Sequence, residues 1–235
     1  MKLPDTCAVI FDIDGVLLYL TEAEEDMFFR ALEDVHGITG ASRDWNSYRV
    51  RNDVEIIEEL IEKKFERQPE PGEIRQVMDR YGALLEIAIR SGSVEVKSIP
   101  GITPVLTELG WQNGVKLGVA TANLKVAADI RLKAAGLKEW FAIGGYADAR
   151  GPKAEILAQV IKHARDDQGN PIPPERTVFL GDNPNDVEAG RRNGCRFIGF
   201  AADNHQYEVL RGAGAETIIT SHNDTLAAIS HALSA

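Results

Sequence analysis

Beyond residue 91 the chain alternates short apolar runs with helical patterns, and that alternation leaves few folds open. Strands are expected near 115–120 (VKLGVA), 140–144, 177–180 (TVFL), 196–200 (RFIGF) and 216–219. Helices are expected near 101–112, 123–135, 153–165, 185–193, 205–211 and 223–233. Regular strand–helix alternation builds an open parallel sheet with helices on both faces. A first strand near 7–12 (CAVIFD) is apolar and short enough to lie buried in that sheet.

The stretch between this strand and the alternating region has a different texture. Met27, Phe28, Ala31, Leu32 and Val35 share one helical face, and Val54, Ile57, Leu60, Ile61 and Phe65 share another. Ile74, Val77, Met78, Tyr81, Leu84, Leu85 and Ile89 recur at three and four. His36-Gly37 and the segment 69–72 break the patterns. A crossover to the next parallel strand needs one helix and short loops. The 107 residues separating Asp14 from Thr121 far exceed that. The expectation is an α/β, Rossmann-like parallel core over 1–15 and 96–235, with an all-helical insert over 16–95. An insert after the first strand sits over the usual ligand crevice of an open α/β sheet.

Composition closes off several functions. The formal charge is −10 with no basic block, which disfavours nucleic acid because phosphate neutralisation needs clustered Lys and Arg. No run of 18 apolar residues is present, so no membrane association is expected, and the N-terminal apolar stretch is too short for a signal peptide. Two unpaired cysteines, Cys7 and Cys195, point to neither a disulfide framework nor a zinc cluster, and the cytoplasm is the expected compartment.

Four features fall at expected strand ends: Asp12-Ile13-Asp14-Gly15, Thr121-Ala122-Asn123, Lys153 after Gly151-Pro152, and the run from Gly181 to Asp186. In a parallel sheet these ends face one crevice. Asp12 and Asp14, two apart, leave the strand end on the same side. Asp182 joins them, and three close carboxylates repel unless a cation intervenes. Hard oxygen ligands without His or Cys suit Mg²⁺, which also lets a carboxylate approach a phosphate dianion. Thr121 and the backbone N–H groups of Ala122 and Asn123 form a phosphate cradle at a helix N-terminus. Each piece has a plainer reading. The aspartates suit turns, and Thr121 and Asn123 suit a turn and an N-cap. Asp186 suits the third helical position after an Asn183 cap. Lys153 resists such a reading, because a cation in the first helical turn, with Pro152 at the first helical position, opposes the helix dipole.

In this order the motifs FDIDGV, VATAN, the lysine of GPKAEIL, and GDNPND resemble the four motifs of the haloacid dehalogenase (HAD) superfamily, and the helical insert resembles its type-1 cap. The resemblance implies an Mg²⁺-dependent phosphatase acting on a small phosphorylated metabolite. It makes Asp12 the nucleophile that becomes an aspartyl-phosphate, and Asp14 the general acid and then base. It gives Thr121 and Lys153 the phosphoryl group, and Asp12, Asp182 and the Asp14 carbonyl the metal, with Asp186 a ligand directly or through water. The acidic residue at Asp14 separates phosphoryl transfer from the dehalogenase and phosphonate-cleaving branches. Departures are Ala154 after the lysine where proline is frequent, Val16 for threonine, and Tyr19 for a polar residue. Arg150 is a nearby cation able to share the role of Lys153. Rival readings are a phosphomutase of the same fold, a receiver-like phosphoprotein and a non-catalytic binding protein.

In the insert, Arg49 or Arg51 is expected to pair with a carboxylate or second phosphate of substrate, or to sit in a solvated loop whose Asn52 or Asp53 caps the next helix. Trp45 and Tyr48 line the pocket or pack the insert. His36 is expected at a helix terminus, and His163, His205, His222 and His231 on the surface.

Overall fold

A computed structural model describes residues 6–234. The elements run β1 (Cys7–Phe11), α1 (Glu22–His36), α2 (Asp53–Phe65), α3 (Pro71–Ser91), α4 (Ile102–Gly110), β2 (Val115–Ala120), α5 (Lys125–Ala134), β3 (Ile143–Gly145), α6 (Lys153–His163), β4 (Thr177–Gly181), α7 (Pro184–Asn193), β5 (Arg196–Phe200), α8 (Asn204–Gly212), β6 (Ile218–Ile219) and α9 (Thr225–Ser234). The six strands pair in the order β3-β2-β1-β4-β5-β6, all parallel. This is the α/β fold expected, with the strand order reversing between β1 and β4, where ligands bind in such sheets.

Alternation along β1 explains how its two faces are covered. Cys7, Val9 and Phe11 pack in one core with Leu106 of α4, Leu132 of α5 and Ile229 of α9. Ile10 points the other way, into a core with Ile156 and Leu157 of α6. Asp12 follows in the same parity as Ile10 and so emerges on the α6 side. The register pairs Phe11 with Val119 on β2 and with Leu180 on β4. Asp12, Thr121 and Asp182, which follow these three strands, therefore lie within one residue of level, which brings separate pieces of chain to one edge.

The helices between β1 and α4 begin and end on local signals. Thr21 and Glu24 form a reciprocal capping box on α1, which stops at Gly37 in the left-handed region with His36 as its last residue. Asn52 caps α2 by accepting from Val54 N at 3.0 Å. Pro71 opens α3 and Gly92 ends it. The three helices bury Phe28, Ile57, Val77 and Leu85 in a core of their own that extends to Leu124 and Ala127 at the start of α5. Gly82 allows this approach: a Cβ there would lie 2.7 Å from Val126 Cγ2. Phe65, expected on the buried face of α2, is 40% exposed at the helix end, where its ring packs against His36; Ile56 takes its place inside. The chain leaves and re-enters the sheet side by side, with Tyr19 N donating to Lys97 O and Leu18 bridged to Ser98. No helix among the described residues is long and apolar enough to cross a membrane.

His222 departs from expectation. It is buried, with Nε2 2.8 Å from Val16 O, Nδ1 3.0 Å from Thr225 Oγ1 and its ring stacked on Phe200. Burial lowers its pKa, and its role is to tie the loop after β1 to α9.

Candidate active site

Asp12 directly follows β1, and its own N–H still donates to Leu180 O at 2.8 Å, so the sheet ladder fixes its backbone. Its Oδ1 accepts from Ile13 N at 2.7 Å and pairs with Lys153 Nζ at 2.7 Å. Both contacts fall on one oxygen, leaving Oδ2 without a protein partner among the described residues. Lys153 is the first residue of α6, with Pro152 at the cap rather than at the first helical position. Its ammonium is buried and also lies 3.1 Å from Asp186 Oδ1. Burial alone would lower its pKa, but the Asp12 and Asp186 carboxylates outweigh that and raise it. Burial pushes Asp12 up to about 8 against the pull of Lys153, with Asp186 and Asp182 adding to the rise. Burial and Asp186 push Asp182 up to about 6.

Asp182 and Asp186 come from the β4–α7 turn. Asp186 stands third in α7 after the Asn183 cap, as expected, and closes the capping box: its Oδ2 accepts from Asp182 N, Asn183 N and Asn183 Nδ2 at 3.0, 3.2 and 2.6 Å. Its Oδ1 is buried and has no hydrogen bond of its own, only the nearby ammonium. Asp12, Asp182 and Asp186 bring ligand oxygens within 4.8 Å of one another. Three hard carboxylates against one lysine, with a buried oxygen left over, fit an octahedral hard cation such as Mg²⁺. Gly15 makes room for them. It sits at φ +72°, and a Cβ there would lie 2.0 Å from Asp182 Oδ2. Gln206 of α8 steadies Asp182, donating to its carbonyl at 2.8 Å and to Oδ2 at 3.0 Å.

The side chain of Asp14 is not among those three. It projects into the adjoining cavity, and its Oδ1 accepts from Arg131 Nη2 at 2.6 Å. Thr121 is buried at the end of β2, with Oγ1 accepting from Asn123 N at 3.2 Å. Asn123 does not cap α5. Its Oδ1 accepts from Arg131 Nη1 at 3.0 Å, and the first amides of the helix are met by carboxylates distant in sequence. Asp53 Oδ2 accepts from Leu124 N at 2.9 Å, and Asp148 Oδ2 from Lys125 N at 2.7 Å. Asp53 N in turn donates to Ala122 O at 3.1 Å. Burial pushes Asp53 up to about 7.

These residues line one cavity. Asp12, Asp14, Thr121, Ala122, Asn123, Lys153, Asp182 and Asp186 form its floor, and Phe28, Trp45, Arg51, Asp53 and Tyr81 of the helical block form its roof. Tyr48 instead packs inside the block. The two arginines separate. Arg51 reaches the cavity, whereas Arg49 does not line it and pairs with Glu59 at 3.4 Å and Glu62 at 2.5 Å. Arg150 is also drawn away, to Glu58 at 2.6 Å, so among the described residues Lys153 is the cation paired with the Asp12 carboxylate. Arg131, Glu24 and Gln206 were not singled out from sequence, and Asp53, expected as an alternative to Asn52 for capping α2, meets the start of α5 instead. Arg131 carried one signal, a cation in line with Ala127, Ala128 and Leu132 on the apolar face of its helix.

Comparison with known proteins agrees with this geometry. The chain is 24% identical over 181 residues to a phosphoglycolate phosphatase of Salmonella typhi, covering 75% of this chain but only 59% of that protein. A HAD hydrolase of family IA, variant 3, from Entamoeba histolytica superposes with a TM-score of 0.72 at 17% identity, over 98% of this chain and all of the other. CbbY from Rhodobacter sphaeroides in complex with phosphate gives 0.69 at 21% identity, over 95% and 99%. At these identities the two structures establish the shared fold. The family itself follows from the match of residues 7–194 to the model of haloacid dehalogenase-like hydrolases, a span that holds every floor residue of the cavity: the chain belongs to that family.

Proposed function

We propose that the protein is an Mg²⁺-dependent phosphomonoesterase that hydrolyses a small phosphorylated metabolite through a phosphorylated Asp12. One observation carries the reading. Asp12 is buried at a strand end with Oδ1 held by Lys153 and Oδ2 left open, beside two further carboxylates. Asp12 Oδ2 attacks phosphorus while Lys153 keeps the carboxylate in line. Thr121 and the amides of Ala122 and Asn123 hold the non-bridging oxygens. Asp14 gives a proton to the leaving oxygen, then takes one from the water that releases phosphate. A bound Mg²⁺, held by Asp12, Asp182 and Asp186, with the Asp14 carbonyl as the resemblance implies, supplies the charge that lets a carboxylate meet a phosphate dianion.

The helical block over 16–95 acts as a cap. Its Phe28, Trp45 and Tyr81 shield the leaving group from water, and Arg51, which has no ion-pair partner among the described residues, meets an anionic or hydroxyl group on it. The floor fixes the chemistry and the roof selects the substrate.

The test is phosphate release from a panel of phosphorylated metabolites, with Mg²⁺ and with EDTA, against Asp12→Asn. Magnesium-dependent release that falls to background in the variant supports the reading. Conversion of a sugar phosphate to its isomer without free phosphate overturns it in favour of a mutase.

A further inference from the structure

Arg131 takes no part in the steps above, yet it is a buried charge that makes four hydrogen bonds. Its side chain is 2% exposed. Nε donates to Glu24 Oε1 at 2.7 Å and Nη1 to Asn123 Oδ1 at 3.0 Å. Nη2 donates to Asp14 Oδ1 at 2.6 Å and to Tyr19 O at 3.2 Å. These acceptors come from four places: the first helix of the cap, the loop after β2, the loop after β1, and the segment before α1 that links core to cap.

Glu24 is as tightly held. It is fully buried, and its Oε2 accepts from Thr21 N at 2.8 Å and Thr21 Oγ1 at 2.9 Å, completing the capping box of α1. Neither member of the pair can swing. Burying two opposite charges costs several kcal/mol per ion in desolvation, and well-packed apolar residues often serve stability equally well. Stability alone is therefore a weak reason for this pair. What the arrangement achieves is orientation. A planar guanidinium fixed on two sides holds its third nitrogen in place, so one N–H of Nη2 is directed at Asp14 while the other meets Tyr19 O.

We propose that Arg131, locked by Glu24 and Asn123, is the positioning residue that aims the Asp14 carboxylate at the leaving oxygen; this rests on the phosphatase reading above. Arg131 occupies Oδ1 and leaves Oδ2, which has no protein partner among the described residues, to move the proton. As the Asp12–phosphorus bond forms, the bond from phosphorus to the leaving oxygen breaks. Its electron pair stays on that oxygen, and the Asp14 Oδ2 proton joins it. In the second half, water gives its oxygen to phosphorus and a proton to Asp14, and Asp12 is regenerated. A donor displaced by about 1 Å loses on the order of 10²-fold in rate.

Leaving-group chemistry separates this role from a structural one. A nitrophenolate departs without help, whereas an alkoxide needs the proton. The experiment measures single-turnover phosphoenzyme formation in saturating Mg²⁺ from p-nitrophenyl phosphate and from propyl phosphate. The proteins are wild type, Asp14→Asn, Arg131→Lys and the double variant Arg131→Gln/Glu24→Gln, which removes both buried charges together and keeps the test open if Arg131→Lys fails to fold. Loss of a general acid costs about 10²–10⁴-fold. The expected result is a fall of about 10²-fold on propyl phosphate and less than about tenfold on p-nitrophenyl phosphate, the pattern of Asp14→Asn. A folded variant that loses both substrates equally, or neither, overturns the role of Arg131 alone. A wild type that forms no phosphoenzyme from either overturns the phosphatase reading, and this inference with it.

Discussion

At the scale of single residues, the site is defined by charge imbalance in a small volume. Lys153 is the only buried ammonium facing Asp12 and Asp186 among the described residues. Replacing it by Met leaves both carboxylates without a cation, and breaking a buried pair from one side costs about 3–5 kcal/mol. Lys153→Met is expected to lose that much stability in EDTA and to regain part of it in Mg²⁺, which wild type needs less. Chemical denaturation of both proteins with and without the ion measures the difference. Equal gains in both would show that the ion does not meet the same carboxylates. Gly15 is limiting for a different reason. Its φ of +72° costs a non-glycine residue about 1–2 kcal/mol, and the added Cβ would collide with Asp182 Oδ2. Gly15→Ala is expected to fold with that loss and to need a higher Mg²⁺ concentration for half-maximal activity, since Asp182 must move. An unchanged Mg²⁺ titration would separate Asp182 from the ion.

At the scale of elements, what the sequence discloses depends on whether the governing interaction is local. Strand ends in a parallel sheet share an edge, so Asp12, Thr121, Lys153 and Asp182 could be brought together from motif positions alone. Capping boxes at Thr21 and Asn183 are equally local. The start of α5 departs from the expected Asn123 cap because its caps are not local: Asp53 lies 71 residues from the amide it satisfies, and Arg131 has taken Asn123 away. The two arginines of the α1–α2 connector could not be separated either, because partners on α2 decide which one stays out of the cavity. The Asp53 contact carries its own prediction. Its pKa rises from an ordinary 3.8 to about 7 because burial penalises the charged form. Between those values the folded state binds more protons than the unfolded one, so stability falls as pH rises through about 4 to 7 and levels off above. Asp53→Asn keeps an acceptor for Leu124 N without the charge. Its stability relative to wild type is expected to grow with pH across that window, by at most about 1.4 kcal/mol per pH unit. Metal-free urea titrations at several pH values measure it; a constant difference would mean that Asp53 ionises freely in the fold.

At the scale of the whole molecule, one helix end fastens the proposed cap to the sheet edge that carries Asp12. Asn52 Nδ2 donates to Ala147 O at 3.2 Å and to Gly151 O at 3.1 Å. Glu55 Oε1 accepts from Gly151 N at 2.6 Å, and Glu58 pairs with Arg150. Two residues beyond that loop stands Lys153, so the tether ends next to the charge that holds Asp12. Under the proposed function substrate passes beneath this roof, and a roof that stayed fastened would also trap the product. On the proposed function, the tether would set a balance between closure, which excludes water while the leaving group departs, and opening, which admits substrate and releases phosphate. Asn52 tips that balance without touching the reacting atoms, because it is both the cap of α2 and the donor to the loop. Asn52→Ala is expected to lose about 1 kcal/mol of stability from the cap alone. The larger consequence is kinetic: with the closed form less populated, the apparent affinity for substrate falls by the same fraction. KM is expected to rise severalfold while phosphoenzyme formation at saturating substrate changes little. The opposite split, an unchanged KM with slowed chemistry, would place Asn52 on the side of Lys153 positioning rather than of closure, and the loop from 147 to 151 would then be part of the catalytic floor.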